Sequence, residues 1–362
     1  MTNRELWQNI MFYKGHDRMP VMHWTEWTET KKRWIKEGLP AKTPDDVDET
    51  IHKYFQTIPM WSWIGANVGL YPAFSEEIIE ETEEYKIFKD GEGVIQKSWK
   101  KRSNIPHYID FTFKTAKDWD IYKKKLQPDS NRIPHNIDEI IKNTESSGLP
   151  IVFGTSSMMG WTRDWLGVEN LAYFMYDHQD VFTDIVDTFS DLTCWAIDQI
   201  FPKMKIKPDI GFGWEDICGR SGPFVSPSIF RKCVAPGYRK IRNKLESYGV
   251  HLLGIDSDGD IKALIGEWLD SGVNVFFPVE IGTWNADSME YRKKYGREFR
   301  VIGGFNKLVL EKTHKEIDEE IERRIPIMKD GGFIILPDHL MTPDTPLENY
   351  KYYLDRIRNL RF

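Results

Sequence analysis

What most constrains the folding of this chain is a regular beat in its second half. Short runs rich in β-branched and aromatic residues alternate with segments that repeat apolar residues at helical spacing. The runs are PIVFGTS (150–156), PDIGFGWED (208–216), VHLLGIDSD (250–258), VNVFFPVE (273–280), FRVIGG (299–304) and GFIILPDH (332–339). Strand, helix, glycine, strand is the order of parallel βαβ units.

The helices are marked at their ends. SPSIFRKCVAPGYRKIRNKLESYG opens on a Ser-Pro pair suited to an N-cap and first turn and runs to Gly249. DIKALIGEWLDSG is expected to begin with Asp260 as its N-cap and to stop at Gly272. Upstream, RMPVMHWTEW (18–27) reads as a first strand after an N-terminal helical segment, and MWSWIGANVGL (60–70) holds a second. Eight strands in this order predict an α/β fold, a closed (β/α)8 TIM barrel, with residues 1–362 as one domain. Residues 75–148 depart from the beat. They are expected to form a β-rich insertion over one barrel end, with EEIIEETEEY as a solvated acidic face.

Charge narrows the partners. The 49 basic residues are outnumbered by 56 acidic ones and are scattered, which disfavours nucleic acid. The first residues lack a charged start followed by an apolar core, and no segment reaches membrane-spanning length without charges, so the chain is expected to be cytoplasmic with no membrane association. Cys194, Cys218 and Cys233 form neither a CxxC pair nor an even disulfide set. Several of the 14 tryptophans fall beside polar residues in expected loops, where they could wall a pocket or simply pack.

In such a barrel the chemistry sits at the carboxyl ends of the strands. The residues that end the apolar runs are His23 and Glu26, Glu215 and Asp216, Asp256 and Asp258, Glu280, the Gly303-Gly304 pair, and Asp338 with His339. A single acid after a strand is more often a helix cap, but several acids converging on one mouth repel each other unless a cation offsets them. The stretch IDSDGD is not an EF-hand loop: counted from Asp256, glycine is fourth and position twelve is Glu267, inside an expected helix. Asp256 and Asp258, with Glu280 and His339, instead make an N/O set that zinc accepts.

The blocks GTSSMMGWTRDWLGVENLAYF, FGWEDICGRSGPFVSPSIFRKC, GIDSDGDI, VNVFFPVE, VIGGFNK and LPDHLMTPDTPLENYKYYL resemble the uroporphyrinogen decarboxylase superfamily, clearly from about 150 to 360 and weakly over 1–75. The resemblance implies the barrel and a site at its mouth. It is closer to the zinc-dependent corrinoid methyltransferase branch than to true decarboxylases. HWTEWTE (23–29) lacks the arginines that decarboxylases carry after the first strand, and YFQTIPMW (54–61) lacks their aspartate. Where the methyltransferases place His-x-Cys-Gly, Glu and Cys, this chain has Asp256-x-Asp258-Gly259, Glu280 and Asp338-His339.

The function so implied is an O-demethylase component. A metal-dependent methyltransferase would move a methyl group from a methoxylated, aromatic small molecule to a corrinoid carried by a separate partner protein. Asp256, Asp258, Glu280 and His339 are then expected as metal ligands, and His23, Glu26, Glu215 and Asp338 as orienting or acid–base groups. Trp24, Trp161, Arg163 and Trp214 are expected against the substrate. Two alternatives stay open: a lyase acting on a different carboxylic acid, and a non-catalytic tetrapyrrole- or corrinoid-binding protein.

Overall fold

The computed structural model describes residues 1–100, 106–284 and 286–362. Eight parallel strands follow the eight runs. They are β1 (Met22–His23), β2 in two pieces (Ile58–Pro59 and Ser62–Ile64), β3 (Ile151–Gly154), β4 (Ile210–Trp214), β5 (Leu253–Asp256), β6 (Val275–Phe277), β7 (Arg300–Phe305) and β8 (Phe333–Pro337). From the second piece of β2 to β8 they form one continuous sheet in chain order, and β1 pairs with the first piece of β2. A parallel bridge between Glu26 and Met341 joins the mouth-side ends of β1 and β8, so the sheet curls into a TIM-like barrel.

The helices pack outside this sheet for reasons the chain states locally. Thr2 and Glu5 form a reciprocal capping box on the helix Asn3–Met11, and Thr313 with Glu316 does so on His314–Asp330. Ser226 caps the helix that begins at Pro227, as its Ser-Pro pair predicts. That helix passes through a π-helical stretch, Phe230–Val234, immediately before Ala235–Glu246. The wider turn accommodates Pro236, whose ring lacks the donor that an α-turn requires.

The helix after β5 departs from expectation. Asp260 accepts from the Lys262 amide at 3.1 Å in a local turn, and the regular helix begins only at Ile265. Between β2 and β3 lies a four-stranded antiparallel sheet, Glu77–Glu81, Tyr85–Lys89, Val94–Trp99 and His107–Phe111. Its acidic first strand is exposed along its whole length. The sheet docks on the helix that follows β3, Gly160–Leu166: Glu92 accepts from the Trp165 indole, and Phe111 packs against Gly167. Among the described residues, no helix is long and apolar enough to cross a membrane.

Register sets up the mouth. Asp256 pairs with Trp214 on one side and Phe277 on the other, so one acid and two aromatics stand level across β4, β5 and β6.

Candidate active site

Asp216, Asp256 and Asp258 converge at the ends of β4 and β5, each offering a carboxylate oxygen within 4.8 Å of the others. Asp216 reaches the group because its backbone is left-handed, with φ at 47°, a conformation uncommon outside glycine and asparagine. The Arg163 guanidinium donates to its carbonyl, and the Asp258 amide donates to its carboxylate at 3.1 Å. His339 Nε2 stands 3.0 Å from the Asp258 carboxylate.

Burial first, and then the neighbouring Asp216, Asp258 and Glu280, hold the Asp256 carboxyl well above the usual carboxylate range. Asp216 is also raised, by burial and then by Asp258. Such a group favours protons or a cation. Three carboxylates and an imidazole make a hard, oxygen-rich donor set, which fits a divalent cation and is within what zinc accepts. The nearby thiol does not add to it: burial pushes Cys218 up to about 12, so it stays protonated.

Glu280 stands behind this group. Its carboxylate accepts from the Gly259 amide at 2.9 Å and from the Trp284 indole, and lies 3.8 Å from the Lys307 ammonium. Gly259 carries a φ of 89°, and a Cβ there would lie 2.5 Å from the Cys218 carbonyl, so the loop that presents Asp258 requires glycine.

Two of the expected acid–base groups are anchors of neighbouring loops. Glu215 is fully buried and accepts from the amides of Met158, Met159 and Gly160 at 2.6, 3.1 and 3.0 Å, from Ser157 at 3.1 Å, and from the Tyr238 hydroxyl. It thereby holds the start of the helix Gly160–Leu166. Asp338, also fully buried, accepts from the amides of Gly282 and Lys307 at 2.8 and 2.9 Å, joining the loops after β6 and β7 to β8.

On the opposite wall His23 Nδ1 is 2.7 Å from the Tyr350 hydroxyl, and Nε2 is 3.0 Å from the Glu26 carboxylate. Burial raises the Tyr350 hydroxyl well above its usual range, so it stays protonated and can donate to or accept from Nδ1. Glu26 is buried, with no aligned hydrogen bond on either oxygen and Lys31 3.9 Å away. His23 lines the cavity; Glu26 is not among the lining residues. His52 also lines the cavity, with Nδ1 3.0 Å from Thr57 and its ring 5.8 Å from that of His23. Burial and then His23 lower its pKa, so it is neutral near pH 7.

Between the two walls lies a cavity of about 840 Å³. Trp24, Trp161 and Trp214 line it as expected from sequence, joined by Trp61, Trp63, Phe212 and Phe277, with Asp216 and Asp256 exposed in it. The rings meet edge to face: Trp24 with Phe277 at 4.6 Å and Trp161 with Trp214 at 5.0 Å. Arg163 is turned aside. Its guanidinium donates to Asp164 at 2.9 and 3.0 Å and lies 5.5 Å from the Trp214 ring centre. His52 and Asp216 are the additions to the sequence reading. Asp216 was visible as a strand-end acid, whereas His52 lies in the helix Val47–Phe55 with no motif around it.

A family model described as uroporphyrinogen decarboxylase matches residues 152–360. No curated protein matches the chain. Among solved structures, a methyltransferase from Methanosarcina mazei superposes with a TM-score of 0.64 at 15% identity, covering 99% of this chain and 98% of that one. At that identity the likeness is one of fold. A B12-independent methionine synthase from a Shewanella species follows at a TM-score of 0.41 and 11% identity, over 78% of this chain and 72% of that one, too remote to carry an argument.

Proposed function

The chain belongs to the uroporphyrinogen decarboxylase family, and from that premise we propose that it is a metal-dependent methyltransferase. It moves a methyl group from a methoxylated aromatic molecule to a corrinoid carried by a separate protein. The observation that carries this reading is the juxtaposition of the Asp216, Asp256 and Asp258 carboxylates with a tryptophan-walled cavity large enough for one aromatic ring and its substituents.

Asp216, Asp256 and Asp258, with His339, would hold the metal, zinc in the first instance. When bound, the metal supplies Lewis acidity toward an ether oxygen and stabilises the oxygen that keeps the electrons when the methyl group leaves. The edge-to-face tryptophans fix the plane of the substrate ring and exclude water around its methoxy group. Glu280 holds the Gly259 turn so that Asp258 keeps its place, and Glu215 and Asp338 hold the loops on either side. Neutral His52 supplies a ring nitrogen as a proton acceptor or donor at the cavity wall.

The experiment is metal analysis of the natively purified protein combined with a demethylation assay on a methoxyarene, with and without an added corrinoid protein. About one metal per chain and turnover only with the corrinoid protein are expected. A metal-free protein, or conversion of substrate without any corrinoid acceptor, contradicts the reading.

A further inference from the structure

Resting on that reading, we infer that the methyl donor carries no carboxylate: the cavity takes an uncharged or cationic methoxyarene and rejects an anionic one. The make-up of the lining carries this. Asp216 and Asp256 are its only acids, His23 and His52 its only other titratable groups, seven of its side chains are tryptophan or phenylalanine, and no lysine or arginine lines it among the described residues.

Three cations beside the mouth residues have partners of their own. Arg163 is held by Asp164 and the Asp216 carbonyl, Lys307 lies against Glu280, and Lys31 binds Asp48 at 2.6 Å. Arg220 is exposed near the tip of the hairpin after β4 and is outside the lining. A ring carboxylate would therefore enter a largely aromatic space whose lining offers it no lysine or arginine and sets it beside two acids, where a charge without a side-chain cation is costly. The negative faces of the tryptophan rings repel it as well and favour a neutral or cationic group.

The test is a binding ladder read by quenching of tryptophan fluorescence, on zinc-loaded protein near pH 7.5. The probes share one ring pattern: 2-methoxyphenol, 4-hydroxy-3-methoxybenzylamine as the cation, and 4-hydroxy-3-methoxybenzoate as the anion. The neutral and cationic probes should bind at least tenfold more tightly than the benzoate. Trp63→Arg, at a half-exposed position of the cavity rim, should raise benzoate affinity severalfold and weaken the amine.

Benzoate binding equal to or tighter than the neutral probe overturns the inference and leaves the methyl-transfer reading standing. If that binding falls on Arg220→Ala, the missing cation is identified. Failure of all three probes to bind overturns both the inference and the reading of the cavity as a methoxyarene site. Unchanged benzoate affinity in Trp63→Arg, in a variant that still binds 2-methoxyphenol, also overturns the inference, because charge would then not set the selection.

Discussion

His339 on the loop after β8 and Asp258 after β5 meet at 3.0 Å across the barrel mouth, although 81 residues separate them in the chain. Whether the imidazole binds a metal directly or orients the carboxylate that does, its removal leaves Asp258 without this partner. His339→Ala should lower divalent-cation affinity by roughly 10–100-fold. Competition against a chromophoric chelator measures this, and an unchanged affinity would separate His339 from the metal centre.

Asp256→Asn removes one of three mutually repelling acids. The metal-free variant should melt above the metal-free wild type, because the burden that raises the Asp256 carboxyl is gone. Metal at a hundred times its dissociation constant should stabilise the wild type by about 2.7 kcal/mol and the variant hardly at all. Thermal melts with and without zinc report both effects.

Glu215→Gln tests an anchor. The carboxylate accepts from three amides and two hydroxyls in full burial, whereas an amide side chain turns a donor toward some of them. A loss of roughly 2–4 kcal/mol is expected from broken charge-assisted bonds. Metal stoichiometry of the folded variant should stay the same, which a direct ligand could not satisfy.

Glu92 gives the fold a dependence on pH. Burial first, opposed by the Trp165 indole and helped by Asp90 and Asp164, raises its carboxyl from 4.5 to about 7. Between those values the folded chain holds more protons than the unfolded chain, so its stability falls as pH rises from about 4.5 through about 7. Glu92→Gln should remove that slope. At pH 8 the variant should be more stable than wild type by roughly 1–3 kcal/mol, and at pH 4.5 about equal to it. Urea melts at the two pH values decide this.

The barrel was legible because its strands are separate apolar runs, each broken by helical periodicity and glycine. All eight runs became strands, and Asp256 and Asp258 came together as their spacing suggested. What the sequence could not carry lay in backbone direction and long-range contact. The left-handed turn at Asp216 aims that acid at the cluster, while adjacent Glu215 points into the helix Gly160–Leu166. Identical strand-end chemistry thus yields two opposite roles within one dipeptide. Asp260 looked like a helix cap, yet its neighbours form a turn first, because Gly259 has already reversed the chain there. His52 reached the cavity from the helix Val47–Phe55, its ring beside that of His23, a contact across the chain that no local pattern announces.

The anchoring of the mouth by Glu215 and Asp338 has an evolutionary consequence. Both acids hold neighbouring loops through main-chain amides, with the Ser157 and Tyr238 hydroxyls added at Glu215, and none of these donors is a cavity tryptophan. The cavity's tryptophans can therefore be exchanged one at a time while the frame that carries the acids keeps its shape. Descendants of such a barrel can change diet by redecorating a wall without rebuilding the room.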